Sequence, residues 1–412
     1  MRYFCFCLLF LLASYSRANQ FTPIQDYGDR QAPALWEKLQ QLEKAGGNQT
    51  IRIIQLGDSH TAGDYFTGQL RQRLQRQFGN AGIGWLTPGY VTNQRSHQVL
   101  LRSLGKWTLS DSKIAKHNGI FPLGGLINTS TGNSILELKI KDPVAAGQWQ
   151  LSIWQQSKQT PWSLALVGGK VTKLPGQGDS KGQNKGAVWQ LSSQTIDASK
   201  LDKLRLLAPG GGKLGGVVLD RQTPGITLDA LGINGAVANV INRWDGASLN
   251  QQLQWRDPHL IILAYGTNEA FGKDLVPQTY EEEMRQVIRK LRAAAPKAAI
   301  LLIGAPSSAK TKAPNINGGC RLPLPPSLIK VQNSQRRIAH REKTLYWDWS
   351  AMMGGNCGAQ VWLKQKVPFM RPDLVHMSPE GYAASADALY MALLREMDAG
   401  LKREQFRKEK SQ

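Results

Sequence analysis

Ser59 sits in Gly57-Asp58-Ser59-His60, directly behind the apolar run Ile51-Arg52-Ile53-Ile54-Gln55-Leu56. A short β-branched run that stops at Gly-Asp reads as a buried strand ending in a turn. A serine at that junction lies at the carboxyl end of a sheet, where open α/β folds bind their ligands. Its hydroxyl becomes a nucleophile when a base takes the proton and donors receive the oxyanion that forms. Far along the chain, Asp373-Leu374-Val375-His376 places a carboxylate and an imidazole three residues apart in one turn. An aspartate so placed holds the base in the right tautomer and stabilises its charged form. Gly266-Thr267-Asn268-Glu269 ends a second apolar run, Leu260 to Tyr265, so Asn268 reaches the same sheet edge as Ser59. Its amide can donate to an oxyanion. Alone, Gly-Asp-Ser reads as a capped turn and His376 as a surface histidine; together the four groups specify an ester-hydrolysing site.

The elements that must position these groups are legible in outline. Phe66, Leu70, Leu74 and Phe78 form one helical stripe after Ser59. A charged helix is expected from Pro277 to Ala294, a strand from Ala298 to Ile303, and a helix from Pro326 to His340. Ser378-Pro379-Glu380 opens the last helix, with Ser as the cap and Pro in the first turn. Strands alternating with helices indicate an α/β unit with a parallel sheet. Between about 106 and 220 the texture changes. Runs such as Ser134 to Ile140 and Trp149 to Trp154 alternate at period two between Gly, Asn, Pro and Ser clusters, which predicts an inserted β-sandwich. Trp107, Trp149, Trp154, Trp162 and Trp189 in this stretch suit either a sandwich core or sugar-stacking platforms. Gly210-Gly211-Gly212-Lys213 lacks the Ser or Thr of a phosphate loop and reads as a flexible hairpin.

Composition narrows the class. With 412 residues, of which 41% are hydrophobic and 20% charged, the chain is too apolar for a disordered protein. No fixed-period repeat is present, which excludes solenoids and propellers. Residues 1–18 have the charge, apolar run and small residues of a secretory leader, so Cys5 and Cys7 are expected to leave with it. In an oxidising compartment the remaining pair, Cys320 and Cys357, is expected to form a disulfide. The formal charge is +21, and +19 without Arg2 and Arg17, which favours polyanionic surroundings. No helix-turn-helix, zinc-finger or aromatic RNA-binding pattern accompanies it, so no nucleic-acid partner is expected. His97, His117, His259 and His340 lack metal-ligand spacing; neither metal nor cofactor is expected. Beyond the leader no apolar run approaches a bilayer span.

Gly-Asp-Ser early, Gly-x-Asn-Glu in the middle and Asp-x-x-His late resemble the SGNH (GDSL-type) hydrolases over about 55–104 and 225–394. The resemblance implies a flavodoxin-like parallel sheet flanked by helices, with Ser59 as nucleophile and Asp373–His376 as base pair. It also implies an oxyanion hole made of the Ser59 N–H, Gly235 and Asn268, with Gly235 matched in Gly232-Ile233-Asn234-Gly235-Ala236. His60 departs from the Leu of GDSL, and a β region separates the first two motifs. Both features are similar to the periplasmic peptidoglycan O-acetylesterases of the Ape type, whose insert is a carbohydrate-binding-module-like sandwich. The implied division is a leader (1–18), a catalytic unit in two parts (19–105 and 221–412) and an inserted sandwich (106–220). The implied activity is removal of O-acetyl groups from peptidoglycan at the MurNAc C6 hydroxyl. The alternatives are an O-acetyltransferase of the same fold and a non-catalytic cell-wall-binding protein. His60 is expected to be structural or to face substrate.

Overall fold

A computed structural model of the protein describes residues 21–44, 47–141, 146–156, 161–166, 168–174, 189–310 and 319–411. The expected leader, 1–18, lies outside the described residues. The central sheet runs Ile24–Asp26, Leu345–Trp347, Ala299–Ile303, Leu260–Ala264, Thr50–Gly57, Gly225–Gly232. Five of these strands are parallel, and the edge strand Ile24–Asp26 is antiparallel. In chain order the parallel strands stand 2-1-3-4-5, the flavodoxin-like arrangement. The antiparallel edge strand is an addition to the expected parallel sheet; three residues carry too little periodicity to be read from sequence.

The sheet is buried on both faces. Along the Thr50–Gly57 strand, Ile51 and Ile53 join one core and Ile54 and Leu56 the other, because successive side chains point to opposite faces. The first core holds Phe66, Leu70, Leu74 and Phe78 of the helix Phe66–Phe78, with Leu389 and Leu393 of the helix Pro379–Ser411. The second holds Met284, Val287, Ile288 and Leu291 of the helix Pro277–Ala294, with Val331 and Ile338 of Leu328–Glu342. Ser378 caps the last helix as its type suggests, its Oγ accepting the Gly381 N–H at 3.1 Å.

The β region forms two antiparallel sheets. One runs Thr172–Leu174, Trp162–Leu166, Lys203–Ala208, Ser134–Ile140, Val99–Leu104; the other runs Gln190–Asp197, Gln148–Gln156, Lys213–Arg221, Leu126–Ser130, Trp107–Asp111. Their inner faces share one core: Leu136, Leu138, Leu204 and Leu206 meet Trp149, Leu151, Ile153 and Val217. This is a sandwich. Trp149, Trp154, Trp162 and Trp189 are all buried, so they are packing groups rather than sugar platforms. Trp154 points away from the sandwich core and packs with Trp85 and with Trp255 of the helix Gly246–Arg256, joining the sandwich to the α/β unit. Beside it, buried Arg256 pairs with Asp229 of the central sheet and Asp220 of the sandwich. The Gly210–Gly212 turn joins strands of different sheets, so it is a corner and not the expected hairpin.

Cys320 and Cys357 form a disulfide. It braces the segment from Gly319 to Leu322 against the helix Gly358–Leu363, where Gln360 bonds both the N–H and the C=O of Leu322. The adjoining loop reaches the histidine turn, Ala309 N–H donating to Leu374 C=O at 3.0 Å. The two cysteines are 37 residues apart, and closing a loop of that length stabilises the fold by about 3–4 kcal/mol. Among the described residues no helix is long and apolar enough to cross a membrane.

Candidate active site

Strand register brings the distant motifs together. Gly57 pairs with Gly232 on one side and Ala264 on the other. Ser59, Gly235 and Asn268 follow these three residues by two to four positions, so all stand at one sheet edge. That edge is the switch point between the first and third parallel strands, where chain connections leave in opposite directions and open a crevice. Gly266 makes the turn that delivers Asn268. Its φ is +125°, and a Cβ there would lie 2.7 Å from Gln335 Nε2 and 2.8 Å from Ala305 Cβ, so only glycine fits.

Ser59 opens the short helix Ser59–Ala62, leaving its N–H among the orphan donors of a helix start. Its Oγ lies 2.9 Å from His376 Nε2, and His376 Nδ1 lies 2.9 Å from Asp373 Oδ2. The other Asp373 oxygen accepts the N–H groups of Val375 and His376, both at 2.9 Å. Burial acts to raise the Asp373 carboxyl, but these N–H groups and the imidazole hold it below the usual range. It is therefore an anion at neutral pH, able to accept the Nδ1 proton and leave Nε2 free to act as a base. The turn carrying both groups is rigid: Arg371 N–H donates to His376 C=O, Leu374 N–H to Arg371 C=O, and buried Leu374 sits in the left-handed region at φ 54°.

Gly235 adopts φ +72°, and among the described residues its N–H has no protein acceptor. Asn268 Nδ2 donates one hydrogen to Ala236 C=O at 2.9 Å. The second amide hydrogen remains for another acceptor. Two donors of this kind with the Ser59 N–H are what a tetrahedral oxyanion needs. Geometry of this type supports acyl transfer through a covalent serine ester.

His60, which sequence left open, is buried. Its Nδ1 lies 2.9 Å from Tyr382 Oη and its ring packs on Trp349. Burial, with His376 nearby, pushes its pKa down to about 3, so it is neutral and structural. Sequence reasoning gave no role to two buried carboxyls beneath the site. Asp58 accepts the His60 N–H at 3.0 Å, and Glu269 accepts the Ala238 N–H at 2.8 Å. Burial pushes Asp58 up to about 6 and Glu269 up to about 7, and Asp58 raises Glu269 further. Their position inside the Gly-Asp-Ser and Gly-x-Asn-Glu runs was the available signal.

Glu269 carries a pH prediction. Its carboxyl ionises near 4.5 when free and near 7 in the fold. Between those values the folded state keeps a proton that the unfolded chain has released, so stability falls as pH rises through the window. At 1.36 kcal/mol per unit the cost is on the order of 3 kcal/mol above pH 8. Glu269→Gln keeps the acceptor for Ala238 and removes the charge. Urea unfolding should show the variant more stable than the parent at pH 8 and equal to it near pH 4. Equal stability at pH 8 would mean that Glu269 is not held in a desolvated site.

Residues 209–384 match the GDSL-like lipase/acylhydrolase family, a span that holds Gly235, Asn268, Asp373 and His376 but not Ser59. Residues 81–197 match the family described as peptidoglycan O-acetylesterase, N-terminal. A solved structure titled as a peptidoglycan O-acetylesterase in action is 33% identical, covers 91% of this chain and 99% of its own, and superposes with a TM-score of 0.76. An acetyl xylan esterase (18% identity, 40% of this chain and 80% of its own, TM-score 0.31) is too distant to carry an argument. So is a carbohydrate esterase family 3 enzyme from Talaromyces cellulolyticus (15%, 42% and 72%, 0.31). No curated protein sequence matches significantly.

Proposed function

We propose that this chain, which belongs to the peptidoglycan O-acetylesterase family, is a serine esterase that removes O-acetyl groups from peptidoglycan. The observation that carries the reading is the unbroken hydrogen-bonded chain Ser59–His376–Asp373, 2.9 Å at each link, at the switch point of the sheet. In the finer reading the acetyl group is that on the MurNAc C6 hydroxyl and the compartment is the periplasm. Ser59 Oγ attacks the acetyl carbonyl as its proton passes to His376 Nε2, and Asp373 stabilises the imidazolium. The Ser59 N–H, the Gly235 N–H and the Asn268 amide receive the oxyanion. Collapse breaks the bond to the sugar oxygen, which takes the proton from His376 and leaves as the free hydroxyl. Water, losing its proton to His376, then attacks the acetyl-serine ester; acetate leaves and Ser59 recovers its proton.

In this reading residues 1–18 are the leader, 19–105 and 221–412 form the catalytic unit except that the strand Val99–Leu104 belongs to the sandwich, and 106–220 form the rest of a module that gathers polymer. That module has 14 Lys and Arg against 7 Asp and Glu, and peptidoglycan is anionic through its stem-peptide carboxylates. Exposed charges attract over about 8 Å at physiological ionic strength. Activity on insoluble O-acetylated peptidoglycan is therefore expected to fall with added salt, while activity on nitrophenyl acetate stays level. Parallel salt curves would remove the gathering role.

The function itself is tested by incubating the mature protein with O-acetylated peptidoglycan and following both products. Free acetate should appear as the C6 acetyl signal disappears. Acetyl groups moving to new sugar hydroxyls without acetate release would identify a transferase instead.

A further inference from the structure

The β region does more than flank the site: its loop from Asp111 to His117 reaches the oxyanion turn. Lys113 Nζ donates to Asn234 C=O at 2.6 Å. A Cβ built on Gly235 would lie 3.4 Å from the same nitrogen. The loop is fastened at several points. Asp111 Oδ1 accepts the Lys113 N–H at 2.8 Å, and the Asp111 N–H donates to His117 Nδ1 at 3.0 Å. Arg243, just beyond the oxyanion turn in sequence, donates to the carbonyls of Ser112, Ala115 and His117. Trp244 Nε1 donates to buried Ser112 Oγ at 3.0 Å. The main chain that bears Lys113 is thus stitched to the turn it touches.

The bond to Asn234 has a chemical consequence. Asn234 C=O and Gly235 N–H belong to one conjugated, planar peptide unit, in which the two groups point in opposite directions. An ammonium on the oxygen draws electron density across the unit and strengthens the N–H as a donor. A charge-assisted bond does this about twice as strongly as a neutral one. Because the unit is trans, the ammonium sits on the side away from the acceptor of that N–H and does not occupy the acetyl site.

We propose that Lys113, supplied by the β region, is a positioning residue for ester hydrolysis: it orients and polarises the Asn234–Gly235 peptide so that the Gly235 N–H is a stronger oxyanion donor. This rests on the reading of Ser59 as nucleophile and Gly235 as donor. Its effect belongs to the transition state, because the negative charge on oxygen develops only there. It also makes the β region part of the catalytic apparatus for a small neutral ester, which polymer gathering does not.

The test measures kcat and KM on nitrophenyl acetate for the full mature chain, for Lys113→Met and for Lys113→Arg, at low and high salt, with thermal unfolding of each protein. Losing a whole oxyanion donor costs on the order of 100-fold or more, so weakening one is expected to lower kcat about tenfold. Lys113→Met should show that loss with KM unchanged, an unaltered melting temperature, and the same deficit at both salt concentrations. Lys113→Arg, which retains a cationic donor, should recover at least half of the parental kcat. The proposal is overturned if Lys113→Met keeps the parental kcat on the small ester and loses activity only on peptidoglycan. It is equally overturned if Met and Arg variants lose kcat alike, or if KM alone changes. A Ser59→Ala protein run alongside separates the two levels. If that protein remains active the underlying site reading fails; if it is inactive and Lys113→Met is not impaired, only the role of Lys113 fails.

Discussion

Ser59→Ala is expected to reduce kcat/KM on any acetyl ester by at least about 10⁴-fold, the scale on which loss of a serine nucleophile is felt. The oxyanion donors and the imidazole would remain, but no covalent ester can form without the hydroxyl. His376→Ala should cost as much, since among the described residues the one side-chain hydrogen bond of Ser59 Oγ is with His376 Nε2. Neither change removes a core group: Ser59 is partly exposed and His376 lies at a surface turn, so far-UV circular dichroism and the melting temperature should be nearly parental. Asp373→Asn should leave a small residual rate. The base survives, but an amide at this position disturbs both the imidazole tautomer and the two N–H bonds that shape the turn. Retention of more than about a tenth of the rate in Ser59→Ala would falsify the nucleophile assignment.

The second large effect concerns Asn268. Removal of one oxyanion donor typically costs about 10²–10³-fold in kcat, or roughly 3–4 kcal/mol. Asn268→Ala should lose that much with KM for a small ester nearly unchanged, because the donor acts on charge that forms only in the transition state. The loss has a second component here: Asn268 Nδ2 also ties down Ala236 C=O, one residue beyond Gly235. Asn268→Asp tests the direction of the effect, since it keeps the shape but replaces a donor with an anion. It should be no more active than the alanine variant. A rise in KM with kcat intact, in either variant, would make Asn268 a substrate-binding group instead.

The parts legible in sequence were those whose chemistry and local periodicity agree. The strand at Ile51, the stripe from Phe66 to Phe78 and the helix from Pro277 to Ala294 all appear where their apolar spacing and caps put them. The two site carboxyl-and-imidazole neighbours, Asp373 and His376, were readable because one turn holds both. What escaped was long-range. The strand Gly225–Gly232 carries Thr227 and Asp229, both fully buried, so its apolar pattern is broken. Those polar groups are tolerated because Arg256, 27 residues away from Asp229, reaches in to pair with them, and no local window contains that partner. The antiparallel edge strand Ile24–Asp26 is too short to show a period. The tryptophans could not be sorted between core and ligand platform until burial was known. Lys113 had no signal at all: a lysine in a polar loop looks solvated until the fold sets it on Asn234, 121 positions later. Glu269 and Asp58 stood within recognisable motifs, yet only burial shows that they are costly to ionise.

In this mechanism the acetyl group passes through Ser59, and its transit can be observed directly. The mature protein is mixed with O-acetylated peptidoglycan, quenched in acid during turnover, digested and mapped by mass spectrometry. An acetyl group on the peptide that contains Ser59, absent when the serine is replaced by alanine, is the predicted result. An acetyl group on a different side chain, or steady acetate release by the Ser59→Ala protein, would contradict it.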